Sequence, residues 1–403
     1  MKKAILRSIL VLLVILLVLA VIYRQNLSRV YHTIHLFDED VIVQNFQDIE
    51  ETYNASSIAA ATDKWILPTR KTYDLPESFI DKDTTWKVED YLDFTRTEGL
   101  LVIHRDTIVL EEYSLGLEED ESHVSWSMAK SFLSAMIGIA VEERKIDIQK
   151  MVTDYIPSFA GTGYEGVKIE DLLHMSSGVK FNEDYGDFNS DINRFGRTFS
   201  WGSSLENFCK SLKNNKEPGT FNHYVSIDTQ VLGHVLRKVI GRSITEYTQE
   251  KLWDPIGMEH DGQWITDNSG MEMVLGGLNA TLRDYAKLGL VYLHNGKARG
   301  KQVVPESWVA ESIHPKYSHL KAGNNPASTN PYGYGYQWWR PDATTPAFFA
   351  AGIYNQYVYV DMEAQVVIAK LSANHRYKQE GHKTKATHMN LLNRIAQDFY
   401  PTN

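Results

Sequence analysis

Cys209 is the only cysteine in the chain, which excludes an internal disulfide and the usual cysteine-rich zinc site. Alone, it reads as a small buried hydrophobe rather than a reactive thiol. The histidines form no His-Glu-x-x-His pattern or comparable ligand cluster, so neither a metal nor another cofactor is expected. Positive charge is also scarce. Lys and Arg number 41 against 51 Asp and Glu, a formal charge of -10, and there is no long basic tract. Nucleic acid binding depends on Lys and Arg neutralising phosphates, so a nucleic acid partner is not expected. No internal repeat is evident. What is present is ordinary globular composition, 43% hydrophobic and 23% charged, in a chain long enough for two fused lobes.

One apolar run stands apart. Lys2, Lys3 and Arg7 precede an almost unbroken apolar stretch from Ile9 to Ile22, followed by Tyr23 and Arg24. At about 1.5 Å per residue, this run and its neighbours just span a hydrocarbon core of roughly 30 Å. Val18-Leu19-Ala20 would suit signal-peptide cleavage, but the run continues past Ala20 without a polar region. Residues 1–24 are therefore expected to be an uncleaved membrane anchor with its basic flank inside and the rest of the chain exported. No cysteine lies near enough for a lipoprotein anchor.

Residues 25–95 are polar and read as a connector wrapping onto the body, with Asn54-Ala55-Ser56-Ser57 and Asp81-Lys82-Asp83-Thr84 as turns or loops. Residues 96–403 read as one domain. Leu100–His104 and Ile108–Tyr113 flank Arg105-Asp106-Thr107 as a hairpin, and Tyr357–Val360 with Val366–Leu371 form another. Between them, helical spacing runs from Ser127 to about Glu143 and again up to Ile240, where Gly241 is a good terminator. A terminal amphipathic helix carries Met389, Leu392, Ile395, Ala396 and Phe399. The expected fold class is α+β: an antiparallel sheet built from both chain ends, flanked by helices, with a mainly helical lobe inserted at about 146–270.

Chemistry centres on Ser127 and Lys130. Three residues apart at a helix start, they share one face. A serine hydroxyl needs a nearby base, and a lysine serves if burial or a cationic neighbour lowers its pKa. Ser-x-x-Lys alone is a weak signal. Its surroundings are not: Ser125-Trp126-Ser127-Met128-Ala129-Lys130-Ser131-Phe132 is followed by Asp171-Leu172-Leu173-His174-Met175-Ser176-Ser177-Gly178-Val179, Pro218-Gly219-Thr220-Phe221, Asp254-Pro255-Ile256-Gly257-Met258, Gly276-Gly277-Leu278-Asn279-Ala280-Thr281-Leu282-Arg283-Asp284, and Tyr332-Gly333-Tyr334-Gly335-Tyr336-Gln337-Trp338-Trp339. Together, over about residues 98 to 376, these resemble the serine β-lactamase and penicillin-binding superfamily. The pattern is most similar to its class C-like branch, with esterase and 6-aminohexanoate-dimer hydrolase relatives.

The resemblance implies a β-lactamase-like fold with Ser127 as nucleophile and Lys130 as base. Tyr224-Val225-Ser226 matches the second motif. It implies Tyr224, partly phenolate beside the lysine charge, as proton relay, and Ser226 as hydrogen-bond partner of Lys130 or the substrate. The third motif falls at Ala350-Ala351-Gly352-Ile353, without its basic residue. Gly352 would permit close approach, and the N–H groups of Ser127 and Ile353 would form the oxyanion hole. In the inserted lobe, Tyr185 would bond the scissile amide or leaving amine, and Asp191 or Asp187 would attract a substrate ammonium. The expected activity is hydrolysis of a small-molecule ester or amide through an acyl-enzyme. A β-lactamase or D-alanyl carboxypeptidase is the alternative, which the missing basic residue at Ala350 disfavours. A non-catalytic penicillin-binding-like module is the third reading.

Overall fold

Strands from both ends of the chain meet in one antiparallel sheet. The computed structural model describes residues 2–342, 344–380 and 383–401. In it the seven strands lie in the order Gly333–Tyr334, Trp339–Arg340, Ala347–Gly352, Gln356–Asp361, Val366–Ser372, Thr97–His104 and Thr107–Tyr113. The join between early and late segments is Val366–Ser372 against Thr97–His104, with Ile368 opposite Val102. Both expected hairpins are present. Their near-continuous apolar character follows from burial on both faces. Alternate residues serve opposite sides: Leu101, Ile103, Val367 and Ala369 join the larger core with Tyr285 and Leu288. Leu100, Val102, Val366 and Ile368 instead pack with Met389, Leu392 and Ile395 of the terminal helix Lys383–Gln397.

Between the two halves of the sheet lie the buried helix Ala129–Glu142 and a lobe that includes Asp191–Ser200, Leu205–Ser211 and Ser226–Ile240. Gly241 ends the last of these at φ 68, as expected. A second antiparallel sheet, in the order Ala55–Ile58, Gly262–Ile265, Leu278–Ala280 and His123–Val124, braces the junction of the lobe with the main sheet.

That sheet corrects one expectation. Asn54-Ala55-Ser56-Ser57 is not a free turn, because Ala55–Ile58 pairs along its length with Gly262–Ile265. Tertiary pairing overrides the local turn signal, and the buried Ile58 anchors the strand. Asp81-Lys82-Asp83-Thr84 does turn a hairpin, with Lys82 at φ 54. At the N-terminus, the helix Lys2–Ile22 includes a segment, Ile5–Ile22, long and apolar enough to span a membrane or be a signal sequence. A second helix, Arg24–His35, follows at once. Arg29 of that helix donates to Asn268 and Asn54 (2.9 and 2.6 Å), and the Thr33 hydroxyl pairs with those of Ser200 and Tyr53.

The buried helix is tightly constrained. A Cβ on Gly138 would lie 2.4–2.6 Å from the Trp308 indole. Gly138→Ala is therefore expected to destabilise the protein by about 1–3 kcal/mol through overpacking, despite alanine's higher helix propensity. Urea unfolding of the full chain in detergent checks this, and an unchanged or raised midpoint contradicts it.

Candidate active site

The strand His123–Val124 leads into a single 3-10 turn, Trp126–Met128, which continues as the helix Ala129–Glu142. The Ser125 N–H donates to the Leu278 carbonyl at 2.9 Å, tying the turn to the smaller sheet. Trp126 adopts φ 45, a left-handed conformation that costs a non-glycine residue about 1–3 kcal/mol. Packing holds it there: its ring centroid lies 5.6 Å from that of Phe37 and 5.3 Å from that of Phe46. Ser127 follows directly, and Lys130 stands one turn on.

The Lys130 Nζ donates to Ser127 Oγ at 2.9 Å and to the Leu275 carbonyl at 2.5 Å. Lys130 is 1% exposed. Burial lowers its pKa from 10.5 to about 7, against the opposing attraction of Glu183. A substantial fraction of the amine is thus neutral at neutral pH, which is what a proton acceptor for a serine requires.

Tyr224 lies beside this pair, with Lys130 Nζ 5.4 Å from its ring centroid, and stacks on Trp339 at 5.4 Å and 21°. The expected partial phenolate is not supported. Burial, followed by the Glu183 carboxylate, raises the Tyr224 pKa, and these outweigh the hydrogen bonds to Ser127 and Ser226 that lower it. Tyr224 remains a neutral phenol.

Glu183 organises the rest of the polar side, and sequence reading missed it. Its carboxylate accepts from Tyr185 Oη (2.8 Å), Ser226 Oγ (2.5 Å) and Ser226 N (3.1 Å). It thereby caps the positive end of the helix Ser226–Ile240. Ser226 accordingly bonds Glu183, where Lys130 or substrate was expected, and the Tyr185 hydroxyl is turned to the same acid. Asp191 is not brought to the site. It accepts from Asn182 N at 2.8 Å and pairs with Arg194 at 2.8 Å, because the first turn of its helix directs it toward the preceding loop. Asp187 is likewise engaged locally, accepting from Asn189 N at 2.9 Å. Glu183 stood two residues before Tyr185, but no spacing rule marked it.

The strand Ala347–Gly352 runs along the other wall. A Cβ on Gly352 would lie 2.4 Å from the Ser125 carbonyl, so only glycine allows the strand this close. Ile353 begins the turn into Gln356–Asp361, with Tyr354 and Asn355 at φ 62 and 75. The buried Gln356 fixes that turn. Its amide donates to the carbonyls of Ile353, Tyr354 and Ser372 (3.3, 3.2 and 2.5 Å) and accepts from Ser372 N at 2.9 Å. Ala350 is buried and paired with Val358. A cation nevertheless reaches the cleft from elsewhere: Lys385 of the terminal helix lies 4.3 Å over the Trp339 ring, and burial brings its pKa down to about 8.

Ser127 opens onto two chambers. One, of about 490 Å³, is the more polar of the two and has Glu183, His223, Tyr224, Asn330 and Lys385 in a wall that is otherwise largely apolar. The other, of about 250 Å³, is mostly apolar and includes Phe37, Ile192, Phe195, Phe199 and Met273. Both include Tyr185 and Ile353 in their walls. Among the described residues, no group of three or more His, Cys, Asp or Glu side chains is placed to hold a metal ion.

Comparison with known proteins places the chain in a family. The Beta-lactamase family model matches residues 95–393, and the chain belongs to that family. It is 30% identical over 301 residues to the 6-aminohexanoate-dimer hydrolase of Paenarthrobacter ureafaciens, covering 71% of this chain and 75% of that one. A Bacillus anthracis structure provisionally named a 6-aminohexanoate-dimer hydrolase superposes with a TM-score of 0.81 at 24% identity, over 91% of this chain and 97% of that one. A class C beta-lactamase from Rhodobacter sphaeroides shares the fold at TM-score 0.55 and 16% identity, over 76% and 97%. The chain is a serine hydrolase of the beta-lactamase-related type.

If Lys130 must be neutral to act, kcat/KM for an ester should rise with pH through an inflection near 7. Glu183 favours the charged lysine, so Glu183→Gln should move that inflection to lower pH. A pH–rate profile of both proteins checks this; coincident inflections would uncouple Glu183 from Lys130.

Proposed function

We propose that the protein is an exported, membrane-anchored serine hydrolase that cleaves an ester or amide through an acyl-enzyme on Ser127. The observation that carries this reading is the 2.9 Å contact between Ser127 Oγ and a buried Lys130 amine whose pKa is near 7. In this mechanism Lys130 takes the Ser127 proton as Oγ attacks the carbonyl carbon. The N–H groups of Ser127 and Ile353 hold the oxyanion, a role in which one donor is typically worth about 10²–10³ in rate. The neutral Tyr224 passes the proton to the leaving group, and water then releases the acyl group. Gly352 and Gln356 support this by holding the Ile353 turn beside Ser127. The anchor is supported by the apolar Ile5–Ile22 and its basic flank.

Lys385 favours a second reading. A cation in the polar chamber offers a partner for the carboxylate of a β-lactam or D-alanyl peptide, the function left vacant at Ala350. The ester or amide reading predicts faster turnover of a p-nitrophenyl acyl ester than of nitrocefin, and the reverse order favours the second. Ser127→Ala should abolish both ester turnover and labelling by a fluorophosphonate. Labelling that persists at another residue would sink the assignment of Ser127.

A further inference from the structure

The apolar chamber has a mouth, and that mouth lies on a helix continuous with the anchor. Tyr224 lines only the polar chamber. If it protonates the leaving group, the leaving group departs on that side and the acyl group occupies the apolar side. Ile34 and Phe188 both line the apolar chamber and are exposed, at 48% and 61%, so the chamber reaches the surface at these residues.

Ile34 belongs to the helix Arg24–His35, which is separated from the membrane-length helix by Tyr23 alone. Its faces are sorted by chemistry. Asn26, Arg29 and Thr33 hydrogen-bond the catalytic body. Tyr23, Leu27, Tyr31 and Ile34 fall at i, i+4, i+8 and i+11, on one stripe, and all are exposed. Arg24, Gln25, Ser28 and His32 make a polar third face. The exposed Trp201 stacks on Tyr23 at 5.6 Å and extends the stripe. Tyr and Trp at the end of an apolar span are what the interfacial region of a bilayer accommodates, and an apolar stripe beside a polar face is what lies along it. No other partner follows so directly from the chain's path.

We propose that the substrate is an acylated lipid of the anchoring membrane, whose acyl chain enters at Ile34 and Phe188 and lies in the apolar chamber with its carbonyl at Ser127. This rests on the hydrolase reading given above. Ser127 Oγ forms the new bond to the acyl carbon as its proton passes to Lys130. The bond from that carbon to the head-group oxygen or nitrogen breaks, and the departing atom receives the proton through Tyr224. Water then cleaves the acyl–Oγ ester and frees the carboxylic acid.

Gly196 provides the test. It lines the chamber in the helix Asp191–Ser200, and a Cβ there would meet only Thr33 Cγ2, at an ordinary 3.8 Å. Gly196→Leu therefore fills the chamber at a site where a side chain is tolerated and helix propensity improves. The full chain in phospholipid nanodiscs is assayed with p-nitrophenyl acetate, p-nitrophenyl decanoate and a fluorogenic phosphatidylcholine carried in the disc. The wild type should prefer decanoate to acetate and should cleave the embedded lipid. Gly196→Leu should lower the decanoate-to-acetate ratio of kcat/KM by about tenfold or more. Leu27→Asp combined with Phe188→Asp should lower turnover of the embedded lipid relative to acetate by a similar factor. Preference for acetate, failure to cleave the embedded lipid, or ratios that no variant moves would overturn the proposal and leave the hydrolase reading standing. No turnover of any of the three, with no fluorophosphonate label on Ser127, would overturn both.

Discussion

A lysine amine sealed from water beside a serine hydroxyl is the constraint around which the cleft is built. Displacing a pKa from 10.5 to about 7 corresponds to roughly 5 kcal/mol against the charged form. That bias exists only because the helix Ala129–Glu142 is buried from Ala129 to Ala140 and the Leu275 carbonyl closes over Nζ. The same burial keeps Tyr224 protonated, so two neighbouring groups are pushed toward their neutral forms by one cause. Glu183 works against this for Lys130, and the balance between desolvation and one carboxylate sets where the lysine titrates.

Holding that balance needs rigid walls, and polar cross-links supply them. Ser131 and Ser134 donate to the carbonyls of Gln337 and Tyr336. The Gln337 side chain in turn accepts from Thr229 and donates to the carbonyls of Leu172 and Leu173. One short stretch of chain thus ties the serine-bearing helix to two helices of the inserted lobe. On the opposite wall Gln356 does the same for the Ile353 turn. Fully satisfied buried networks of this kind fix one arrangement of the parts they join.

The N-terminal region belongs to the cleft as well. Thr33, Phe37 and Ile49 line the apolar chamber with residues from the middle of the chain, and Phe37 stacks on Tyr354 at 4.4 Å in the turn that follows Ile353. The stretch that reads as a connector is a wall of the site. Its helix Arg24–His35 escapes notice because docking rests on dispersed polar residues, Asn26, Arg29 and Thr33, and not on an apolar face.

Short-range features are legible in the chain alone: the paired hairpins, the serine and lysine one helical turn apart, the Gly241 helix stop, and the family to which their order belongs. Periodicity, capping and covalent spacing carry those features, and tertiary context has little room to change them. Tertiary structure decided everything that depends on which side chain meets which across the chain. It assigned Ser226 and Tyr185 to Glu183, left Asp191 outside the cleft, turned residues 55–58 into a strand, and brought Lys385 where Ala350 offered no charge. It also decided protonation. Neither the neutral Tyr224 nor the half-neutral Lys130 is a property of residue type, since both follow from how completely the assembled fold removes water from them.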